Sequence, residues 1–217
     1  MSKILHESIY NLRNAIESTK RLVFLVGAGI SFEPPSYLTT WPQSGCIKAI
    51  TSIDLDTVKK LREAVRPEVF FQVLYNITGK KALIPLEVLN PVTLNSEEKL
   101  AAPNILHFFL AEMIHKGHIV LTTNFDNLIE MAYEKVTNGQ KPKIAIFDID
   151  FQNLYEELNS LKSGCLIKIH GSFVTPEGRD CRDSIIAILQ QVQREFPESK
   201  RKLVKKLIEE HDLVVMG

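Results

Sequence analysis

The chain has 217 residues, 45% of them hydrophobic, enough to bury a sizeable core in one large domain or one domain with an insertion. Lys plus Arg (26) balances Asp plus Glu (26), so there is no global basic field of the kind that draws a protein to nucleic acid or anionic lipid. No apolar run reaches membrane-spanning length, and the opening MSKILHESIY lacks a signal-peptide apolar segment. The three cysteines, Cys46, Cys165 and Cys181, form no Cys-x-x-Cys pair and support neither a disulfide framework nor a structural zinc site. A cytoplasmic protein with free thiols, no membrane contact and no nucleic-acid partner is the expectation.

In chain order, Ile9, Leu12 and Ile16 recur at helical spacing within residues 8–20, predicting an amphipathic helix that covers the sheet. Leu22 to Val26 is an apolar run of strand length cut off by Gly27-Ala28-Gly29, and such a run reads as a strand buried on both faces. The glycines permit a sharp turn and let bare N–H groups approach a ligand such as a dinucleotide pyrophosphate; the same pair also serves as a plain tight turn. After Ser31, three prolines and a glycine predict an irregular loop, in which Phe32, Tyr37 and Trp41 either cap a ligand or pin the loop to the core. Residues 45–117 read as a mostly helical insertion, with helices over Leu55 to Val65, Pro67 to Ile77, a stretch near Leu83 to Leu89 closed by Pro91, and Asn104 to Lys116. His107 and His115 share one side of the last helix without an acidic partner at ligand spacing, and are read as packing or surface residues.

From His118 strands alternate with helices. Strands are expected at Ile119 to Leu121, Ile144 to Phe147, Cys165 to Ile169 and Leu213 to Met216, with helices over 127–136, 153–161 and 200–210. This rhythm predicts an α/β fold with a parallel sheet and right-handed crossovers. The basic run SKRKLVKK carries an apolar stripe at Leu203, Val204 and Leu207 and reads as a solvated helix face.

Three strands end in small or polar residues: Val26 into GAGIS, Leu121 into TTNFD and Ile169 into His170-Gly171-Ser172. In an open parallel sheet the ligand crevice lies at the carboxyl ends of the strands, so these segments should converge. Each has a structural alternative. Asn124 or Asp126 can cap the following helix, and a lone strand-end histidine often fills a hydrogen-bonding gap. Gly171 beside His170 lets a ligand approach the backbone.

GAGIS, TTNFD and KIHGS, in this order and each after an apolar strand, resemble the sirtuin (SIR2) superfamily, specifically bacterial SIR2-like domains that carry Thr-x-Asn-[Phe/Tyr]-Asp in place of the deacetylase Thr-Gln-Asn-Ile-Asp. The resemblance runs from Leu22 onward outside the insertion. It implies one NAD-binding domain over residues 1–217 with a Rossmann-like parallel sheet flanked by helices. By it, Gly27, Ala28, Gly29 and Ser31 meet the pyrophosphate and ribose, Asn124 and Asp126 hold the nicotinamide ribose, and Thr123 and Gly171 line the same site. Asn124 and His170 would be the catalytic residues, with His170 as general base. The chemistry implied is cleavage of the nicotinamide–ribose bond through an oxocarbenium-like transition state.

Two departures from the deacetylase pattern shape the expectation. There is no four-cysteine zinc ribbon, and Phe32-Glu33-Pro34-Pro35 stands where Gly-Ile-Pro-Asp-Phe-Arg would begin. The resemblance therefore implies an NAD+ hydrolase that releases nicotinamide and ADP-ribose, of the kind used in bacterial anti-phage defence, with no zinc. The partners it implies are NAD+, a sensor domain or partner protein, and a second copy of the chain. A non-catalytic NAD or ADP-ribose binding module is the alternative, and a protein deacylase is disfavoured by the missing cysteines. LVVMG resembles the family strand that leads into the adenosine contacts, so a C-terminal truncation at Gly217 is expected.

Overall fold

The computed structural model describes residues 10–36 apart from 12 and 19, residue 38, residues 53–79, 102–187, 191 and 194–217. The tight turn at GAG and the continuous apolar run before it set the first strand, β1 (Leu22–Val26), which is followed at once by a 3-10 turn over Ala28–Ser31. Among the described residues four further strands join it: β2 (Ile119–Thr122), β3 (Lys143–Ala145), β4 (Cys165–Lys168) and β5 (Asp212–Met216). All pair in parallel, in the order β3-β4-β2-β1-β5. The helices are α1 (Leu55–Ala64), α2 (Pro67–Thr78), α3 (Ile105–His115), α4 (Leu128–Val136), α5 (Asp148–Glu157) and α6 (Glu198–Glu210). This is the expected Rossmann-like α/β architecture.

Strand order explains which helix lies on which face. The chain steps one way along the sheet from β1 to β2 to β3, then returns from β3 to β4 to β5. With one handedness of crossover, the outward helices must share one face and the returning helices the other. Accordingly Phe24, Val120 and Leu166 pack with Leu110, Ile114, Ile129 and Ala132 of α3 and α4. On the other face Val23, Leu121 and Ile167 pack with Phe151, Leu154, Leu203 and Leu207 of α5 and α6. Residues 13–17 are helical, and Ala15 and Ile16 lie against the first of these faces, as the leading amphipathic pattern predicts. The α3 helix, grouped with the insertion on sequence, lies against the sheet as the β1–β2 crossover.

The α1 and α2 helices form a third, smaller core. Asp54 caps α1 by accepting from the Asp56 and Thr57 N–H groups, and Pro67 opens α2 where its missing N–H costs nothing. Phe70, Phe71 and Leu74 of α2 pack with Phe173, Ile185 and Ala187 from the segment that follows β4, and with Phe125 from the segment that follows β2. These helices thus lean on two of the loops at the carboxyl edge of the sheet.

Some boundaries shift for identifiable reasons. The third strand stops at Ala145 and α5 begins at Asp148, not at residue 153, because Asp150 Oδ2 accepts from the Ile146 and Phe147 N–H groups and starts the helix early. The Lys200 side chain within SKRKLVKK is buried, so that run is not wholly a solvated face. Cys165 and Cys181 are buried free thiols. Tyr37, Trp41, Cys46 and the expected helix near Leu83 to Leu89 lie outside the described residues, and Phe32 stands exposed. No helix among the described residues is long and apolar enough to cross a membrane.

Candidate functional site

Register brings the three motifs to one level. Val26 pairs with Thr122, and Thr122 pairs with Lys168, so Gly27, Thr123 and Ile169 leave three adjacent strands together. Backbone bonds tie these exits: the Thr123 N–H donates to Val26 O at 3.2 Å and the Ile169 N–H to Thr122 O at 3.0 Å. Asn124 and His170 come one residue further along neighbouring strands. From there the chain departs in opposite directions, to α4 on one face after β2 and towards α6 on the other after β4. Adjacent strands whose outgoing connections part to opposite faces open a crevice between them, and this crevice has Asn124 on one side and His170 on the other.

Ser31 is the hub on the β1–β2 side. Its hydroxyl donates to Asp126 Oδ2 at 3.1 Å, accepts from Asn124 Nδ2 at 3.2 Å and lies 3.1 Å from His107 Nε2. All four side chains are buried. Asp126 also accepts the Leu128 N–H on Oδ1, so it caps the start of α4 while it holds Ser31. Asp126 thus holds the first N–H of α4 from the residue before the N-cap, Asn127, and the Ser31 hydroxyl with its other oxygen. Burial pushes its carboxyl upward, and the Lys168 ammonium, the Leu128 N–H and the Ser31 hydroxyl pull it back down.

His107, read on sequence as a packing or surface residue, joins this cluster through Ser31. Burial holds its ring down at a pKa of about 4, so it is neutral at physiological pH. It occupies the third position of α3, and its Nδ1 accepts the Asn104 N–H at 3.1 Å while Asn104 Oδ1 accepts the His107 N–H at 3.3 Å. Asn104 Nδ2 in turn donates to Ile30 O at 2.7 Å and Glu33 O at 3.2 Å, fastening the start of α3 to the GAGIS turn. The Asn104-x-x-His107 spacing before an apolar run was the available signal. His115, its companion on sequence, is exposed and only packs edge-on to Tyr133.

Lys168 is the second residue the motif reading did not single out. Its fully buried ammonium donates to Glu130 Oε1 at 2.9 Å and to the carbonyls of Phe125 and Asp126. One side chain from β4 thus grips the TTNFD backbone and the first turn of α4. Glu130 is likewise pushed up by burial and pulled down by Lys168.

His170 stands apart from the Ser31 network. Its ring is half-buried and has no hydrogen-bond partner among the described residues, which leaves both nitrogens for a ligand or water. Burial lowers its pKa; Lys200 lowers it further, and Glu68 of α2 raises it. Lys200 Nζ donates to Ile169 O at 2.9 Å and lies 4.8 Å from the Phe151 ring centroid, beside the β4 exit. Gly171 has φ +88°, and a Cβ there would meet Ser184 O at 2.2 Å. The close approach at Gly171 is thus made by the chain's own 182–184 turn.

In the GAGIS turn, the Ile30 and Phe32 N–H groups bond back to Gly27 O and Gly29 O, leaving the leading N–H groups of Ala28 and Gly29 without a partner inside the turn. Gly29 packs so closely on Gly217 that a Cβ would lie 2.6 Å from its carbonyl carbon. Polar donors, an amide, a carboxylate and an imidazole along one crevice fit a ribose flanked by a phosphate group. No group of three His, Cys, Asp or Glu side chains among the described residues is placed to hold a metal ion.

Comparison with known proteins agrees with this geometry. No curated protein matches the chain. Residues 118–217, which carry TTNFD, KIHGS and the last strand, match the family described as the SIR2-like domain. With the sheet, the crevice and both motifs in place, residues 118–217 are assigned to the SIR2-like domains, a family that binds NAD.

Proposed function

We propose that this protein is an NAD+ hydrolase that releases nicotinamide and ADP-ribose. The observation that carries the reading is the meeting of the β2 and β4 exits, with the Ser31-held Asn124 and Asp126 after β2 and, after β4, the His170 imidazole, which has no hydrogen-bond partner among the described residues. In the reaction the bond from ribose C1′ to the nicotinamide nitrogen breaks and its electron pair leaves on that nitrogen. The oxygen of a water molecule bonds to C1′, and the proton that this water loses passes to His170. The lowered pKa of His170 supports this role, because a base must be neutral to accept the proton. Asn124 would hold a ribose hydroxyl, Asp126 would place negative charge near the developing oxocarbenium ion, and Gly27, Ala28, Gly29 and Thr123 would face the phosphates and adjoining ribose. Gly171 would set the turn that aims His170. In a cell this activity depletes NAD, which suits an effector of anti-phage defence governed by a sensor domain or partner protein.

The test compares the intact chain with His170→Ala for nicotinamide release and for NAD binding by calorimetry. The expected result is turnover by the first and a loss of about 100-fold or more in the second with binding retained. Equal turnover by both proteins would remove His170 from the mechanism.

A further inference from the structure

We propose that His107 is a positioning residue which, through Ser31, fixes the direction of the Asn124 amide, so that the carbonyl Oδ1 is the atom offered to a ligand hydroxyl. The inference deepens the NAD reading and rests on it for the identity of that hydroxyl. A backbone N–H can only donate, so the Asn104 N–H makes His107 Nδ1 an acceptor. The neutral ring then carries its proton on Nε2, which faces Ser31. A hydroxyl has one proton and accepts up to two. In its ionised form, which the Lys168 ammonium and the Leu128 N–H favour against burial, Asp126 can only accept, so the Ser31 proton goes to Oδ2. The Ser31 oxygen is left as an acceptor towards both remaining neighbours, His107 and Asn124. Asn124 must therefore turn its NH2 group to Ser31, which leaves Oδ1 free of that contact.

Every position in this chain of donors is filled once. Removing the His107 donor frees one acceptor site on Ser31, and the hydroxyl can then rotate towards Asn124 instead of Asp126. The amide then loses its reason to keep one face. A ribose hydroxyl, which donates to a carbonyl oxygen, would then also meet the NH2 group.

The tautomer is read first, on the wild-type chain, from the nitrogen and proton resonances of the His107 ring. The proton is expected on Nε2, and a proton on Nδ1 overturns the proposal whether or not NAD is bound. The kinetic arm uses NAD+ with His107→Ala, Ser31→Ala, the double variant and His107→Gln. Either single alanine should lower kcat/KM roughly 10- to 100-fold, and the double variant should be no worse than Ser31→Ala alone. Gln at this position offers Oε1 to the Asn104 N–H and an N–H to Ser31, so it should recover activity to within about 3-fold of wild type. A folded His107→Ala with wild-type kcat/KM, losses that multiply in the double variant, or a folded His107→Gln as poor as the alanine variant each overturn it. If His107→Ala does not fold, the glutamine variant and the ring tautomer decide. A wild-type chain that neither binds nor cleaves NAD sinks the NAD reading, while the tautomer measurement still judges the His107 network.

Discussion

His170 and Lys200 make the sharpest statement about single residues. Burial and the neighbouring Lys200 ammonium both hold the His170 imidazole below its ordinary pKa of 6.5, so the ring stays neutral into mildly acidic solution. The acid limb of kcat/KM should therefore fall below pH 6.5. Removing the positive charge with Lys200→Met should move that limb to higher pH, because the protonated ring is then less opposed. Rates measured from pH 4.5 to 8 on both proteins check this, and a limb that stays in place would mean that another group titrates. His170 was legible in the sequence as a strand-end histidine before a glycine. His107 and Lys168 were not, because their partners lie far along the chain. Ser31 is 76 residues from His107, and Glu130 is 38 from Lys168. Periodicity sees only neighbours on one element. It reads Lys168 as an ordinary strand residue and His107 as one face of a helix.

At the scale of elements, the TTNFD segment keeps its shape because β4 reaches across to hold it. Lys168→Met should cost about 3–5 kcal/mol, since it leaves Glu130 buried without its counter-charge. Adding Glu130→Leu should recover much of that stability, because an apolar pair of similar volume often replaces a buried ion pair at little cost. NAD affinity should stay low in the double variant, as the Phe125 and Asp126 carbonyls still lack the ammonium. Urea unfolding and NAD titration separate the two effects. The turn after β4 gives a second case. Gly171→Ala should lose about 2 kcal/mol or more, from the positive φ and the overlap with Ser184 O. Gly178→Ala has φ +82° but meets nothing within 4 Å, and should lose about 1 kcal/mol. Thermal denaturation of the pair tests the difference. Sequence placed these elements well where caps and apolar runs agree. Asn104 starts α3 and Pro67 starts α2, as read. It placed α5 five residues late, because Ile146 and Phe147 look like more strand and only the folded contact with Asp150 shows where the helix begins.

For the whole molecule, the alternation of strands and helices was enough to give a parallel sheet, and three polar strand ends were enough to predict which segments leave it side by side. Neither gave the strand order. The sheet runs β3-β4-β2-β1-β5, and this order puts β4 beside β2 and so opposes His170 to Asn124. Strand order depends on which helices share a face, and that is a property of packing over the whole chain. The direct measurement is the product balance of the wild-type chain with NAD+: nicotinamide and ADP-ribose quantified together against the NAD+ consumed. One of each is expected per NAD+ lost, with many turnovers per protein molecule. NAD+ that binds and is recovered intact would contradict NAD+ hydrolysis and leave a binding module in its place.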